Sequence, residues 1–211
     1  MSKICFFDVD GTLIDSFQGI RHSLEQALRS QGLELPDEAV LRTFVGPPIE
    51  RSIANHWKDL APHLVKQAAG EFQRVYQEQG YAMGQLYPHM ADVLEAIHPD
   101  WDLYVVTNKN VLYAEKTLQH FGINHYFKGI LCTDRSRQIG KSQLIRSQLA
   151  QYDIVDQAVM IGDTPEDHAA TEGNDCDFIG VVYGFGLKPT ETYDFATAHK
   201  PLDLLPLLEQ L

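Results

Sequence analysis

Short apolar runs recur along the chain: Ile4-Cys5-Phe6-Phe7, Leu103-Tyr104-Val105-Val106, Gly129-Ile130-Leu131-Cys132, Ala158-Val159-Met160-Ile161 and Phe178-Ile179-Gly180-Val181-Val182. Each is too short for a helix, and several are rich in β-branched residues, which predicts fully buried strands. Helical stripes lie between them. Val111, Ala114, Leu118 and Phe121 share one helical face, with Gly122 as the stop. Leu144, Ile145, Leu149 and Tyr152 make a second stripe. Strands alternating with helices predict βαβ units, an α/β class and a parallel sheet with right-handed crossovers. In such sheets ligands bind beyond the carboxyl ends of the strands.

The segment from about Asp15 to Gln85 interrupts this alternation and contains no convincing strand. Phe17, Ile20, Leu24, Ala27 and Leu28 predict one amphipathic helix. Pro36-Asp37-Glu38 predicts the start of another, with Pro in its first turn, ending near Gly46. Pro48 and Pro62 open two more, and Val65, Ala68, Phe72, Val75 and Tyr76 form the stripe of the last. The expected organisation is a core of residues 1–15 and 86–211 with an all-helical insertion at 16–85. Placed directly after the first strand, such an insertion would hang over a ligand site and act as a lid. A static helical decoration is the alternative.

Composition narrows the functional classes. The 211 residues carry 17 basic and 29 acidic side chains, a net charge of −12. That acidity disfavours a nucleic-acid polymer or an anionic membrane as partner. It also means that any phosphate site needs local positive charge or a metal ion. Cys5, Cys132 and Cys176 are too dispersed for a disulfide framework. No apolar run is long enough to span a bilayer, and Ile4–Phe7 is too short for a signal peptide. The expected location is the cytoplasm.

Four strand ends carry candidate chemistry. In Phe6-Phe7-Asp8-Val9-Asp10-Gly11-Thr12 an apolar strand runs into two acids spaced i, i+2, which places both on one side. Two close carboxylates ask for a metal, or for a shared proton and so acid/base work. Gly11 lets the chain bend and offers backbone N–H groups to an anion. Met160-Ile161-Gly162-Asp163-Thr164-Pro165 is a second strand ending in an acid, and Asp167 follows one helical turn on. Val105-Val106-Thr107-Asn108 ends a strand with a hydroxyl and an amide suited to a phosphate oxygen, and Lys141 opens a helix after a polar loop. On one edge of a parallel sheet these would gather Asp8, Asp10, Asp163, Thr107 and Lys141. Such a set of carboxylates suits a hard, oxygen-seeking cation such as Mg2+.

Asp8-x-Asp10-Gly11-Thr12, Thr107-Asn108, Lys141 and Gly162-Asp163-x3-Asp167 resemble, in order and spacing, the four motifs of the haloacid dehalogenase-like superfamily. The insertion resembles the helical-cap subclass. Asp10–Ser16, Phe44–Glu50 and Leu86–Pro88 resemble phosphoglycolate phosphatase-like and 5′-nucleotidase-like members. Pro88 is followed by His89, where many members have Gly. The resemblance implies a Rossmann-like parallel sheet with helices on both faces and an inserted helical cap. It implies a Mg2+-dependent phosphatase acting on a small phosphorylated metabolite. Asp8 would be the nucleophile forming an aspartyl-phosphate, and Asp10 the general acid and then the general base. The ion would be held by Asp8, the backbone carbonyl of Asp10, and Asp163. Thr107 and Lys141 would hold the phosphate oxygens, with Asn108 and the Gly11 N–H assisting. Asp167 would orient Lys141 or a water at the ion. A nucleoside monophosphate phosphatase and a sugar phosphomutase are the alternatives.

Other readings fail on particular residues. Gly140-Lys141-Ser142 lacks the first Gly of a P-loop, because Arg135 stands there. No cysteine is followed six residues on by Arg, which excludes a cysteine phosphatase. Gly184-x-Gly186 has no third Gly and reads as a loop near the active edge. A dehalogenase lacks the second acid that Asp10 supplies. A phosphonate hydrolase would need a Schiff-base lysine in the insertion, where Lys58 and Lys66 sit in no defined motif.

Overall fold

The computed structural model describes residues 2–134 and 138–211. In chain order the elements are β1 (Ser2–Phe7), β2 (Ile14–Asp15), α1 (Phe17–Ser30), α2 (Glu38–Arg42), α3 (Ile49–His56), α4 (Pro62–Glu78), β3 (Gln85–Leu86), α5 (Met90–Ile97), β4 (Asp102–Thr107), α6 (Val111–His120), β5 (Phe127–Cys132), α7 (Lys141–Leu149), β6 (Val155–Gly162), α8 (Pro165–Thr171), β7 (Asp177–Val181), β8 (Ala196–Ala198) and α9 (Leu204–Glu209). They divide into two compact units, one running through Ile14 and resuming at Leu86–Leu211, the other Asp15–Gln85. The two-residue strands β2 and β3, at the points where the chain leaves and re-enters the first unit, pair with each other.

The first unit is a six-stranded sheet in the order β5-β4-β1-β6-β7-β8, and all its pairings are parallel. Its strands are apolar throughout because both faces are covered. On one face Cys5, Phe7, Leu103, Val105, Val159, Ile161 and Ile179 pack under α5, α6 and α9 through Met90, Leu94, Leu118, Leu204 and Leu208. On the other, Ile4, Phe6, Tyr104, Val106, Met160 and Phe178 pack under α7 and α8 through Ile145 and Ala170. The strict alternation along β1 and β4 is the period of two that puts successive side chains on opposite faces. After β1 the chain builds outward through β4 and β5, then crosses back to build β6, β7 and β8 on the other side. The reversal of strand order therefore falls at β1, where open α/β sheets bind ligands.

In the second unit the predicted stripes are buried: Phe17, Ile20, Leu24, Ala27 and Leu28 on α1, and Val65, Ala68, Phe72, Val75 and Tyr76 on α4. These two helices pack on each other, and α3 packs on α4 through Ile53. Three local expectations change. Helix α2 begins at Glu38, with the Asp37 side chain accepting the Val40 N–H at 2.9 Å. Pro36 therefore lies outside the helix, which ends at Arg42, well before Gly46. On α6, Ala114 and Leu118 are buried, but Val111 in the first turn is exposed. Tyr152 lies beyond α7, where its hydroxyl bonds Asp102 and Tyr104. The short β8 and the helices α5 and α9 add to the predicted elements.

Candidate active site at the carboxyl edge of the sheet

Asp8 follows the apolar run of β1 at the carboxyl edge of the sheet and stays buried there. The Asp8 N–H donates to the Ile161 carbonyl at 3.0 Å, which continues the ladder one residue and anchors the acid beside β6. The chain then folds tightly: the N–H groups of Leu13 and Ile14 both return to the Val9 carbonyl at 3.0 Å. The turn passes through Gly11 at φ 86, a left-handed conformation that favours glycine. A Cβ there would also overlap the Asp163 carboxylate.

Asp8, Asp163 and Asp167 are all buried, and each offers a carboxylate oxygen within 4.8 Å of the others'. The Lys141 ammonium lies 2.6 Å from Asp167 Oδ1 and 3.1 Å from Asp8 Oδ1. The first is a hydrogen bond and the second an ion pair. Asp167 Oδ2 accepts from the Thr164 hydroxyl at 2.6 Å and the Thr164 N–H at 3.1 Å. Both oxygens of Asp167 are thus occupied, so this acid fixes Lys141 and caps α8. Asp163 Oδ2 accepts the Phe185 N–H at 2.7 Å and the Gly186 N–H at 3.2 Å. The Thr12 hydroxyl sits 3.5 Å from Asp163 Oδ1. Gly184 approaches so closely that a Cβ would overlap Asp163 Cβ and the Gly11 carbonyl.

Asp10 stands apart from this trio. Its Oδ2 pairs with the Lys109 ammonium at 3.0 Å, and both side chains are nearly buried. Thr107 is buried at the end of β4, its hydroxyl accepting the Lys109 N–H at 3.2 Å. Asn108 Oδ1 accepts from the Thr133 hydroxyl at 3.3 Å. Residues 135–137 of the polar loop before Lys141, including Arg135, lie outside the described residues.

The electrostatics follow from this crowding. Burial pushes the Asp8 carboxyl up to about 7, with Lys141 opposing the rise and the Asp167 and Asp10 charges adding to it. Burial likewise lifts Asp163 to about 8, helped by Asp8 and Asp167. Burial acts to lower the pKa of the Lys141 ammonium, but Asp167 and Asp8 outweigh it and hold the group well above its ordinary value. Among the described residues, four carboxylates and two ammonium groups carry a formal excess of two negative charges, which one divalent cation would neutralise. Asp10 Oδ1 is buried without a hydrogen-bond partner among the described residues, and Asp8 Oδ1 faces the Lys141 ammonium at 3.1 Å. Orphaned buried oxygens of this kind are costly unless a ligand completes them. An all-oxygen donor set suits a hard cation, so the residues present fit Mg2+.

The structure therefore brings Asp8, Asp163, Lys141 and Asp167 into direct contact or within one ligand sphere. It sets Asp10 beside Lys109 and Thr107 on the adjoining loop. One expectation is corrected. The Gly11 N–H already donates to the Ile14 carbonyl at 2.9 Å, so it is not available to a phosphate, and what the site needs from Gly11 is its missing Cβ and its positive φ. Sequence reasoning missed Lys109; it placed Thr12 in the first motif and Gly184-x-Gly186 in a loop near the active edge without assigning either a contact with Asp163. Lys109 follows Thr107-Asn108 directly, and that adjacency was the available signal.

The haloacid dehalogenase-like hydrolase profile matches residues 5–181. A phosphoglycolate phosphatase from Vibrio cholerae is 28% identical over 193 residues, 87% of this chain and 85% of that one. A 5′-nucleotidase from Pseudomonas aeruginosa is 30% identical over 198 residues, 92% of this chain and 87% of that one. A haloacid dehalogenase-like hydrolase of known structure from Streptococcus pneumoniae superposes with a TM-score of 0.87 at 29% identity, covering 98% of each chain. With the profile spanning the sheet from β1 to β7 and every acid of the site, the chain belongs to the haloacid dehalogenase-like hydrolase family.

Proposed function

We propose that the chain is a Mg2+-dependent phosphatase of a small phosphomonoester, phosphoglycolate phosphatase-like in substrate. That the chain is a phosphoric monoester hydrolase follows from its family and from phosphatase relatives that align with nearly the whole chain. The observation that carries the finer reading is the Asp8–Asp163–Lys141 constellation at the β1 edge: buried acids, an excess of two negative charges, and a fixed ammonium beside the first acid.

Each residue then has a role that its surroundings support. Asp8 forms a bond from a carboxylate oxygen to phosphorus as the phosphorus–oxygen bond of the ester breaks, giving an aspartyl-phosphate. Asp10 gives its proton to the departing oxygen. It then takes a proton from the water that attacks phosphorus and returns Asp8 to its carboxylate. Lys141 and Thr107 donate to the phosphate oxygens, with Asn108 held by Thr133 as a further donor. Asp8, Asp163 and the Asp10 backbone carbonyl would hold Mg2+, which supplies charge neutralisation and Lewis-acid polarisation of the phosphoryl group. Asp167 keeps Lys141 in place.

We assign selection among substrates to the helical unit Asp15–Gln85, as the resemblance to capped members implies. The Pseudomonas relative supports a second reading, a nucleoside monophosphate as substrate. A cytoplasmic location fits the three free cysteines. Among the described residues, no helix is long and apolar enough to cross a membrane. The test is a phosphomonoester panel with and without Mg2+, run on the native chain and on Asp8→Asn. Phosphate release that needs Mg2+ and vanishes in the variant is expected; full turnover in Asp8→Asn would sink the mechanism.

A further inference from the structure

Lys109 is absent from every role assigned above, yet the fold buries it. Its side chain retains 6% of its exposure, and its ammonium lies 3.0 Å from Asp10 Oδ2. Long, rotamer-rich lysines are almost never buried unless paired, and a buried pair adds little stability for its desolvation cost. The backbone around Lys109 is pinned on both sides. Its own N–H donates to the Thr107 hydroxyl at 3.2 Å, and the next residue, Asn110, caps α6 by accepting the Leu112 N–H at 3.0 Å. Because β4 is the neighbour of β1, the loop after β4 runs beside the loop that carries Asp10. The ammonium takes one carboxylate oxygen of Asp10. The other, Oδ1, is buried and has no hydrogen-bond partner among the described residues.

We propose that Lys109 is a positioning residue for the general acid and base: it clamps Oδ2, fixes the Asp10 rotamer, and leaves Oδ1 as the atom that exchanges the proton with the leaving group and the attacking water. This rests on the phosphatase reading and deepens it. An unclamped Asp side chain can turn away from the reaction, and placing a catalytic group correctly is worth large factors in rate. A lysine that instead bound the substrate phosphate would speed all esters alike. A lysine that acts through Asp10 matters most when the departing oxygen needs a proton.

The test uses two aryl esters and kcat/KM, which reports the steps through loss of the leaving group. p-Nitrophenyl phosphate has a leaving group that needs little protonation, and phenyl phosphate has one that needs much more. For Lys109→Met the loss on phenyl phosphate should exceed the loss on p-nitrophenyl phosphate by roughly tenfold, within the range set by general acid catalysis. Lys109→Arg should restore most of that difference. Asp10→Asn should show the same preference, and adding Lys109→Met to it should cost no more than about a further threefold, because residues acting as a unit are not additive. Lys109→Gln, which keeps length and polarity, carries the test if the Met variant unfolds. Equal losses on both esters, or a full additional loss in the Asp10→Asn background, would overturn the proposal and leave the phosphatase reading standing. A native chain with no Asp8-dependent hydrolysis of either ester would overturn both.

Discussion

Metal-free protein should become more stable when it is acidified from pH 8.5 to 5.5, and Asp163→Asn should remove much of that dependence. Asp163 rises from an ordinary 3.8 to about 8 in the fold, and Asp8 from 3.8 to about 7. Folded values above unfolded ones mean that the native state holds protons the unfolded chain has already released. Linkage then makes unfolding free energy fall as pH rises through this window. At about 1.36 kcal/mol per pKa unit, either residue alone corresponds to several kcal/mol. The two share one repulsion and do not add fully, so a total on the order of 3–4 kcal/mol is expected between the ends of the window. The nine histidines and the global charge of −12 titrate there too, so the comparison that isolates the site is the variant. Asn at 163 can still accept the Phe185 and Gly186 N–H groups but carries no charge to bury. With metal chelated, Asp163→Asn should therefore be more stable than the native chain by about 2–4 kcal/mol at pH 8.5, and about equal to it at pH 5.5. Urea unfolding followed by circular dichroism measures both. Mg2+ should stabilise the native chain at pH 8.5 and leave Asp163→Asn unmoved. A variant less stable than the native chain at pH 8.5, or equally stable at both ends, would refute the reasoning.

Three other outcomes follow from local geometry. Lys141→Met strips the buried ammonium from Asp8 and Asp167; it should abolish turnover and cost about 3–5 kcal/mol at pH 8, less at pH 5.5 where Asp8 can protonate, as read by unfolding at the two pH values. Gly184→Ala puts a methyl into Asp163 Cβ and the Gly11 carbonyl, both backbone-anchored; calorimetric titration should show Mg2+ affinity down by roughly tenfold or more, whereas Gly184→Ala binding normally would mean the loop simply moves aside. His89 sits at φ 67 at the start of α5; His89→Val should lower unfolding free energy by about 1–2 kcal/mol and His89→Gly should not, and equal stabilities would remove the strain argument.

The strands and the ends that carry chemistry were legible because one physical fact controls both. A strand covered on two faces must be apolar, so the first acid after it marks the sheet edge, as at Phe7-Asp8 and Gly162-Asp163. Relations between neighbouring loops were not legible. Lys109 next to an amide after a strand reads as solvated until the order β4-β1-β6 places its loop against that of Asp10. Asp167 could be placed one turn beyond Asp163, but its saturation by Lys141 and Thr164 needs the capping box at the start of α8. The Gly11 N–H looked free because a short-range bond to Ile14 has no sequence signature. Strand β8 is three residues long without an apolar run, too little to register as a period.

A sheet edge that concentrates buried carboxylates works against its own fold, and the distribution of contacts shows how the chain tolerates it. Asp8 is tied to the Ile161 carbonyl, Asp163 to two backbone N–H groups, Asp167 to a helix cap, and Asp10 to Lys109. Asp163 keeps Oδ1 clear of these backbone bonds and Asp10 leaves Oδ1 without a hydrogen-bond partner among the described residues, whereas both oxygens of Asp167 are taken. The two apolar layers beneath supply the stability, while the described residues of the edge are short of cation by two formal charges. That deficit is what a metal ion would fill. Under the proposed phosphatase reading it also accounts for how so acidic a chain would accept an anionic substrate: a bound ion would offset the formal charge of the described acids, leaving Lys141 and Thr107 to orient the phosphate.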